Sequence, residues 1–240
     1  MFGAAGIAPD AGHGKGGAPG WAGEPGASWP APAGPDASPR DRLLAAAHQV
    51  LADDGLEGLT LRAIARRAGV SHGAPLRHFP TLAALLSALA ADGFVHLVAT
   101  INGALAAADA AAEVRGAALP ARTRLAVSGR AYLRFALTDP GVFSITFRPE
   151  RVDVSDADYL TAAVAAFEQL VGLVAAAQAE GWFPEVPPNE LAAVLWAHVH
   201  GLATLALHGS IGGVVEGEDA VQRLLDLSIF ITVGPEGDPP

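Results

Sequence analysis

The 240-residue chain contains no cysteine. Disulfides, thiol redox sensing and thiolate metal sites are thereby excluded, and the composition suits a reducing cytoplasm. Lysine is almost as scarce. Lys15 stands alone, and arginine carries the rest of the positive charge. Charged residues make up only 17% of the chain and its formal net charge is −10, which excludes a generally basic nucleic-acid coat. No segment alternates apolar and polar residues between turn signals, so strands are not expected. No motif recurs at a fixed period. Residues 1–39 lack the basic start and apolar run of a secretory signal. They are Gly, Ala and Pro with little else, and cannot bury enough apolar surface to offset their ordering entropy. Disorder is expected there and in the short tail 234–240.

What is present is apolar and helical. Hydrophobic residues reach 51%, enough for a sizeable core. The bias toward Ala, Gly and Arg suggests GC-rich coding and a bacterial source. A long apolar helix starts at Pro80-Thr81 and runs to about Ala112, where Gly116 to Pro120 breaks it. An amphipathic helix over 120–138 turns Leu125, Tyr132, Leu133 and Phe135 inward. Its charged face carries Arg122, Arg130 and Arg134, and Asp139-Pro140-Gly141 stops it. A short apolar piece, VFSITF, follows. Further helices are expected from Ser155 to Glu180, from Asn189 (as cap) to His208, and from Asp219 to about Val233. The fold class is therefore all-α.

The most informative stretch is Thr60 to Phe79, TLRAIARRAGVSHGAPLRHF. Thr60 suits the cap of one short helix and Ser71 the cap of a second. Leu61, Ile64, Ala65 and Ala68 recur at helical spacing and face a core. Gly69 stands where the chain must turn. This is the layout of a helix-turn-helix, whose second helix enters the DNA major groove. Charge is distributed to match. From Arg40 to Pro80 there are six arginines against four acids, and from Thr81 onward eight against eighteen. A mildly basic head on an acidic body still attracts phosphate locally, because the attraction is short-ranged at cellular salt.

The segment Arg40 to Leu86 resembles the whole N-terminal domain of a TetR-family transcriptional regulator. D-G-x-x-x-x-T, A-G-V-S and H-F-P stand at that family's offsets. A second resemblance, at Trp196, His200 and Gly201 in LWAHVHGLATLALHG, is to the W-H-G helix of one subgroup's ligand domain. The resemblance implies a three-helix DNA-binding domain over 40–86 and a helical ligand-binding and dimerisation domain over 87–233. It implies that Thr60, Ser71 and His78 contact phosphate, and that Arg62, His72, Gly73, Ala74 and Arg77 lie on or near the DNA face. Implied partners are palindromic operator DNA, a second copy of the chain and a small-molecule effector that releases a repressor. The last two helices are the most apolar and are the expected dimer interface.

Three positions depart from the family pattern. Leu76 stands where an aromatic is common, Leu82 where a phosphate-gripping lysine usually opens the fourth helix, and Pro75 inside the recognition helix. The first two weaken the expected DNA affinity; Arg40, Arg42, Arg66 and Arg67 offset this, although Arg66 and Arg67 equally suit a solvated face. The alternative reading is a ligand or protein-interaction module that keeps the fold without binding DNA.

Other chemistries find little support. Leu191 to Val215 holds no Asp, Glu, Lys or Arg and is long enough to span a bilayer. Its three histidines, its glycines and its flanking Glu190 and Glu216 favour a buried helix, and no membrane partner is expected. Gly209-Ser210-Ile211-Gly212 follows a helix rather than a strand and is not a nucleophile elbow, so no enzyme is expected. His198 and His200 point to different helix faces, and His208 lies about 12 Å along the axis from His200. No metal or other cofactor is expected. Trp196 and His200, four apart, share one helix face. They suit either a core or the wall of an apolar ligand pocket, with the imidazole as a polar handle. Phe135, Phe143, Phe147 and Phe167 are the further pocket candidates, each equally suited to core.

Overall fold

A computed structural model describes residues 37–71, 73–211, 214–215 and 219–234. The two expected disordered tails lie almost wholly outside the described residues, and so does His72. The described residues form nine α-helices and no strand, so the chain is all-α.

Three helices build the head: α1 (Pro39–Gly58), α2 (Leu61–Arg67) and α3 (Pro75–His78). Ser38 caps α1, its hydroxyl accepting from the Asp41 N–H. Leu43, Leu44, Ala47, Val50 and Leu51 recur along one face of α1 and are all buried. Ile64 and Ala65 of α2 are fully buried, and the methyl side chain of Ala65 leaves room for a neighbouring helix. Arg40 lies over the Phe79 ring, 5.3 Å from its centroid, which ties the start of α1 to the end of α3.

The body is built on α4 (Leu82–Val114), capped by the Thr81 hydroxyl on the Ala84 N–H. Around it pack α5 (Ala121–Thr138), α6 (Pro140–Thr146) and α7 (Ala157–Ala179), with α8 (Pro188–Leu207) and α9 (Ala220–Val233) outside them. Helix α4 runs without a break through residues 86 and 87, so one rod is shared by the head and the body.

Helix starts differ from expectation in three places. Asp139-Pro140-Gly141 ends α5, but the chain at once re-forms helix, so the VFSITF segment lies within α6 and its end. Proline suits the first helical position, where its missing N–H needs no partner. The same preference moves the start of α8 to Pro188. Pro187 takes the cap position with no side-chain bond, and Asn189 is exposed in the first turn instead of capping. Helix α7 starts at Ala157 rather than Ser155, with the Asp156 carboxylate accepting from the Tyr159 N–H as its cap.

The charged face of α5 turns out to be partly structural. Arg122 Nε donates to the Val233 carbonyl at 2.8 Å, satisfying an orphan carbonyl at the end of α9. Arg130 Nε pairs with Asp226 of α9 at 3.2 Å. Beside Arg122 at the start of α5, the Glu180 carboxylate accepts from the Ala121 N–H at 3.0 Å. Three helices, α4, α7 and α8, are long and apolar enough to cross a membrane by length and composition. Helix α4 is sheathed by the bundle, whereas α7 and α8 are little buried within one chain.

Candidate functional site

The head presents a short, tightly turned motif. Thr60 caps α2, its hydroxyl accepting from the Ala63 N–H at 3.1 Å. Gly69 takes φ +67° in the turn that follows, a conformation glycine adopts without a Cβ penalty. The second helix is only one turn long, because it begins at Pro75. Its cap position is Ala74, with no side-chain bond, so the expected cap at Ser71 is not made. Instead the Ser71 carbonyl accepts from the Ala74 N–H at 2.9 Å, forming the turn that leads in. The proline ring fixes φ and removes the N–H that a helix running back to Ser71 would have bonded.

Of the residues expected on the DNA face, Thr60, Arg62, Ser71, Gly73, Arg77 and His78 are exposed and Ala74 is half-buried. Arg62 and Arg77 form no ion pair among the described residues. Arg67, by contrast, pairs with Asp53 at 2.6 Å, and Arg40 is engaged by Phe79. Leu76 is 53% exposed beside Arg77. Leu82 is half-buried and packs on the core.

The body encloses a cavity of about 500 Å³, walled by α4, α5, α7, α8 and α9 and by the end of α6. Of the six aromatic candidates, Phe147, Phe167, Trp196 and His200 line it. Phe135 and Phe143 do not. Both are buried behind the wall, with Phe143 stacked 5.2 Å from His200 and Phe135 touching Phe143. They support the lining rather than form it. Phe94, Tyr132 and Tyr159 are lining residues that the sequence reading left out of the pocket. Tyr132 was legible only as an inward residue of α5. That its hydroxyl meets a helix 64 to 68 residues away has no local signal.

These groups form a short polar chain in an apolar setting. Tyr132 Oη lies 2.8 Å from His200 Nδ1 and 3.4 Å from Trp196 Nε1. Burial pushes the Tyr132 phenol far above its ordinary pKa, so it stays protonated. The indole is a donor only. A buried phenol needs an acceptor, and among the described residues His200 Nδ1 is the one in reach, so the phenolic proton goes to Nδ1 and Trp196 donates to the phenolic oxygen. Burial also lowers the His200 pKa, which keeps the imidazole neutral near neutral pH. Its proton then sits on Nε2. Among the described residues no group of three His, Asp or Glu is placed to hold a metal.

Helix α6 reaches both regions. Thr146 and Phe147, at its end, line the cavity. Gly141, at its start, packs against Leu51 of α1, and Arg151 just beyond it bonds Glu57 at 2.7 Å. On α4, Gly93 lets Thr146 approach so closely that a Cβ there would lie 2.0 Å from the threonine hydroxyl. The Ser87 hydroxyl, a turn and a half earlier, accepts from the Asp153 N–H at 2.8 Å.

Residues 43–89 match the family model for bacterial regulatory proteins, tetR family, and residues 125–228 match that for the tetracyclin repressor-like C-terminal domain. Among solved structures, the chain is similar to a protein of unknown function from Rhodococcus sp. RHA1, at 34% identity. That match covers 80% of this chain and 94% of the other, with a TM-score of 0.64. A tetR-family regulatory protein from Rhodococcus RHA1 is 19% identical, covering 84% of this chain and 100% of its own, with a TM-score of 0.58. The fatty acid degradation regulator FadR from Bacillus halodurans is 16% identical, covering 84% and 96%, with a TM-score of 0.60. At these identities the last two show a shared fold alone. No curated protein matches the chain.

Proposed function

Since the chain belongs to the TetR family of bacterial transcriptional regulators, we propose that it works as a cytoplasmic dimeric repressor, released from its operator by a small apolar molecule bound in the cavity. The observation that carries this reading is the placement of α6, which touches the cavity through Thr146 and Phe147 and the DNA head through Gly141. A ligand that pushes on Phe147 displaces an element already wedged against α1. The effect on DNA follows from differential affinity. A ligand that binds one arrangement of head and body better shifts the population toward it.

Two heads are needed for a palindromic operator, with recognition helices roughly 34–36 Å apart. Helices α8 and α9 suit the dimer contact. Val194 and Leu205 of α8, and Leu227, Phe230 and Ile231 of α9, are each more than half exposed in one chain. An apolar face of that kind is costly in water and cheap against its own copy. On the DNA side, Arg77 is the base reader, with a five-donor guanidinium suited to guanine. Arg62 and the Thr60, Ser71 and His78 side chains position the head on phosphate.

The test is a mobility shift with full-length protein and the DNA upstream of its own gene, followed by footprinting. Protection of two half-sites one helical turn apart is expected. Failure to retard any fragment of that region would favour a module that keeps the fold without binding DNA, a reading motivated by the one-turn α3 and the exposed Leu76.

A further inference from the structure

Among the described residues, the cavity wall contains no Asp, Glu, Lys or Arg. A charged ligand would lose its hydration there and meet no opposite charge. Most of the wall is ring and aliphatic surface, with Phe147 6.1 Å and Phe167 6.2 Å from Trp196 between ring centroids. Such a wall takes flat apolar molecules. Direction must come from the few polar groups. Thr146 and Thr232 are already spent on backbone carbonyls of their own helices. The Trp196 N–H is spent on Tyr132, and the Tyr132 O–H on His200 Nδ1. Ser128, Tyr159, His198 and Ser228 add polar atoms elsewhere on the lining, whereas the Tyr132–Trp196–His200 chain ends in one donor of its own. His200 Nε2–H has no hydrogen-bond partner among the described residues, although the residue lines the cavity and its ring is held by Phe143 and Phe147 at 5.2 and 4.9 Å.

We propose that the effector is an uncharged, flat, apolar molecule bearing a hydrogen-bond acceptor, a carbonyl above all, and that His200 Nε2–H holds that acceptor. The inference rests on the reading of the cavity as an effector site. Tyr132 acts as a positioning residue. By giving its proton to Nδ1 it keeps the imidazole in the tautomer that donates from Nε2. The aromatic walls supply affinity without direction, whereas the His200 donor, held among those rings, selects which molecules of the right shape are read. A carboxylate of the same skeleton is disfavoured, because no Lys or Arg lines the cavity among the described residues. A hydrocarbon of the same skeleton leaves the donor buried and unpaired.

Three compounds of one skeleton separate these cases: tetralin, 1-tetralone and tetralin-1-carboxylate. Each is titrated into the full-length protein by calorimetry. The ketone should bind about fivefold to tenfold tighter than the hydrocarbon, the worth of one hydrogen bond, and the carboxylate more weakly than the ketone. In His200→Phe the ketone's advantage should vanish, with a melt confirming that the variant folds. Tyr132→Phe preserves the ring and releases the tautomer, so the advantage should shrink without disappearing. The proposal is overturned by a ketone preference that survives His200→Phe, or by a carboxylate that binds tightest. Equal binding of all three overturns it while leaving the effector cavity standing. No binding by any of them overturns the cavity reading and the proposal together.

Discussion

The imidazole of His200 sits where protonation is opposed. Burial lowers its pKa, and its Nδ1 already accepts a proton from Tyr132. The unfolded chain keeps the His200 proton up to its ordinary value of 6.5, whereas the folded chain releases it at lower pH. Between those two values unfolding takes up a proton, so stability falls as the pH drops below about 6.5 and levels off below the folded pKa. Melting temperatures recorded from neutral to mildly acid pH should therefore decline more steeply in the native chain than in His200→Gln. Parallel curves would mean that His200 is solvated as well in the fold as outside it. In the head, Arg77→Ala should weaken specific DNA binding by about 1–3 kcal/mol, the worth of a bidentate base contact. Anisotropy titrations with specific and scrambled duplexes check this. An equal loss on both would make Arg77 a phosphate contact, and no loss on either would remove it from the interface.

Among the elements, the α4–α6 crossing is the tightest contact between the cavity and the shared rod. Gly93 has no Cβ, and Thr146 fills the space one would occupy. Gly93→Ala should cost about 1–3 kcal/mol by overpacking, since α4 and α6 must part to admit it. Adding Thr146→Ala removes the obstructing hydroxyl and should recover part of the loss. Urea denaturation of both variants measures the difference. A single variant as stable as the native chain would show that α6 moves aside freely, and the tight coupling of cavity to α4 would fall. At the start of α4, Leu82 packs on the core where other family members commonly carry lysine. The Thr81 cap and the apolar first turn of α4 thus serve packing at a place where the family pattern has a phosphate grip.

For the molecule as a whole, the uneven burial of its helices matters most. Helix α4 buries more than half of its apolar stretch within one chain, and the outer face of α8 and α9 does not. A Leu227→Asp, Phe230→Asp double variant places two carboxylates on that face. Burying them in an apolar contact would cost on the order of a few kcal/mol each, so the variant should be monomeric by light scattering with its helicity intact. It should also lose operator binding, because a lone head grips one half-site. A variant that remains dimeric would place the interface elsewhere, with the exposed α7 residues Leu160 and Val164 the next surface to examine.

The sequence by itself determined the helices and the motif. Spacing at 3.6 residues, capping by Thr60 and the turn at Gly69 act over one or two turns of chain, so they can be read without knowing what packs where. The same locality explains the misplaced starts. Proline at position 75 or 188 overrides a nearby Ser or Asn cap because φ is fixed covalently, while a cap is worth about 1 kcal/mol. Only the tertiary structure decided what the aromatics do. Phe135 and Phe147 are the same residue type on neighbouring helices, yet one lies behind the cavity wall and the other on it. Which side a ring faces depends on the packing of helices far apart in the chain, and no local spacing encodes that. The Tyr132–His200–Trp196 chain joins α5 to α8 on the same terms. So does the use of Arg122 and Arg130, legible in sequence only as a charged face of α5, in the bonds that hold α9.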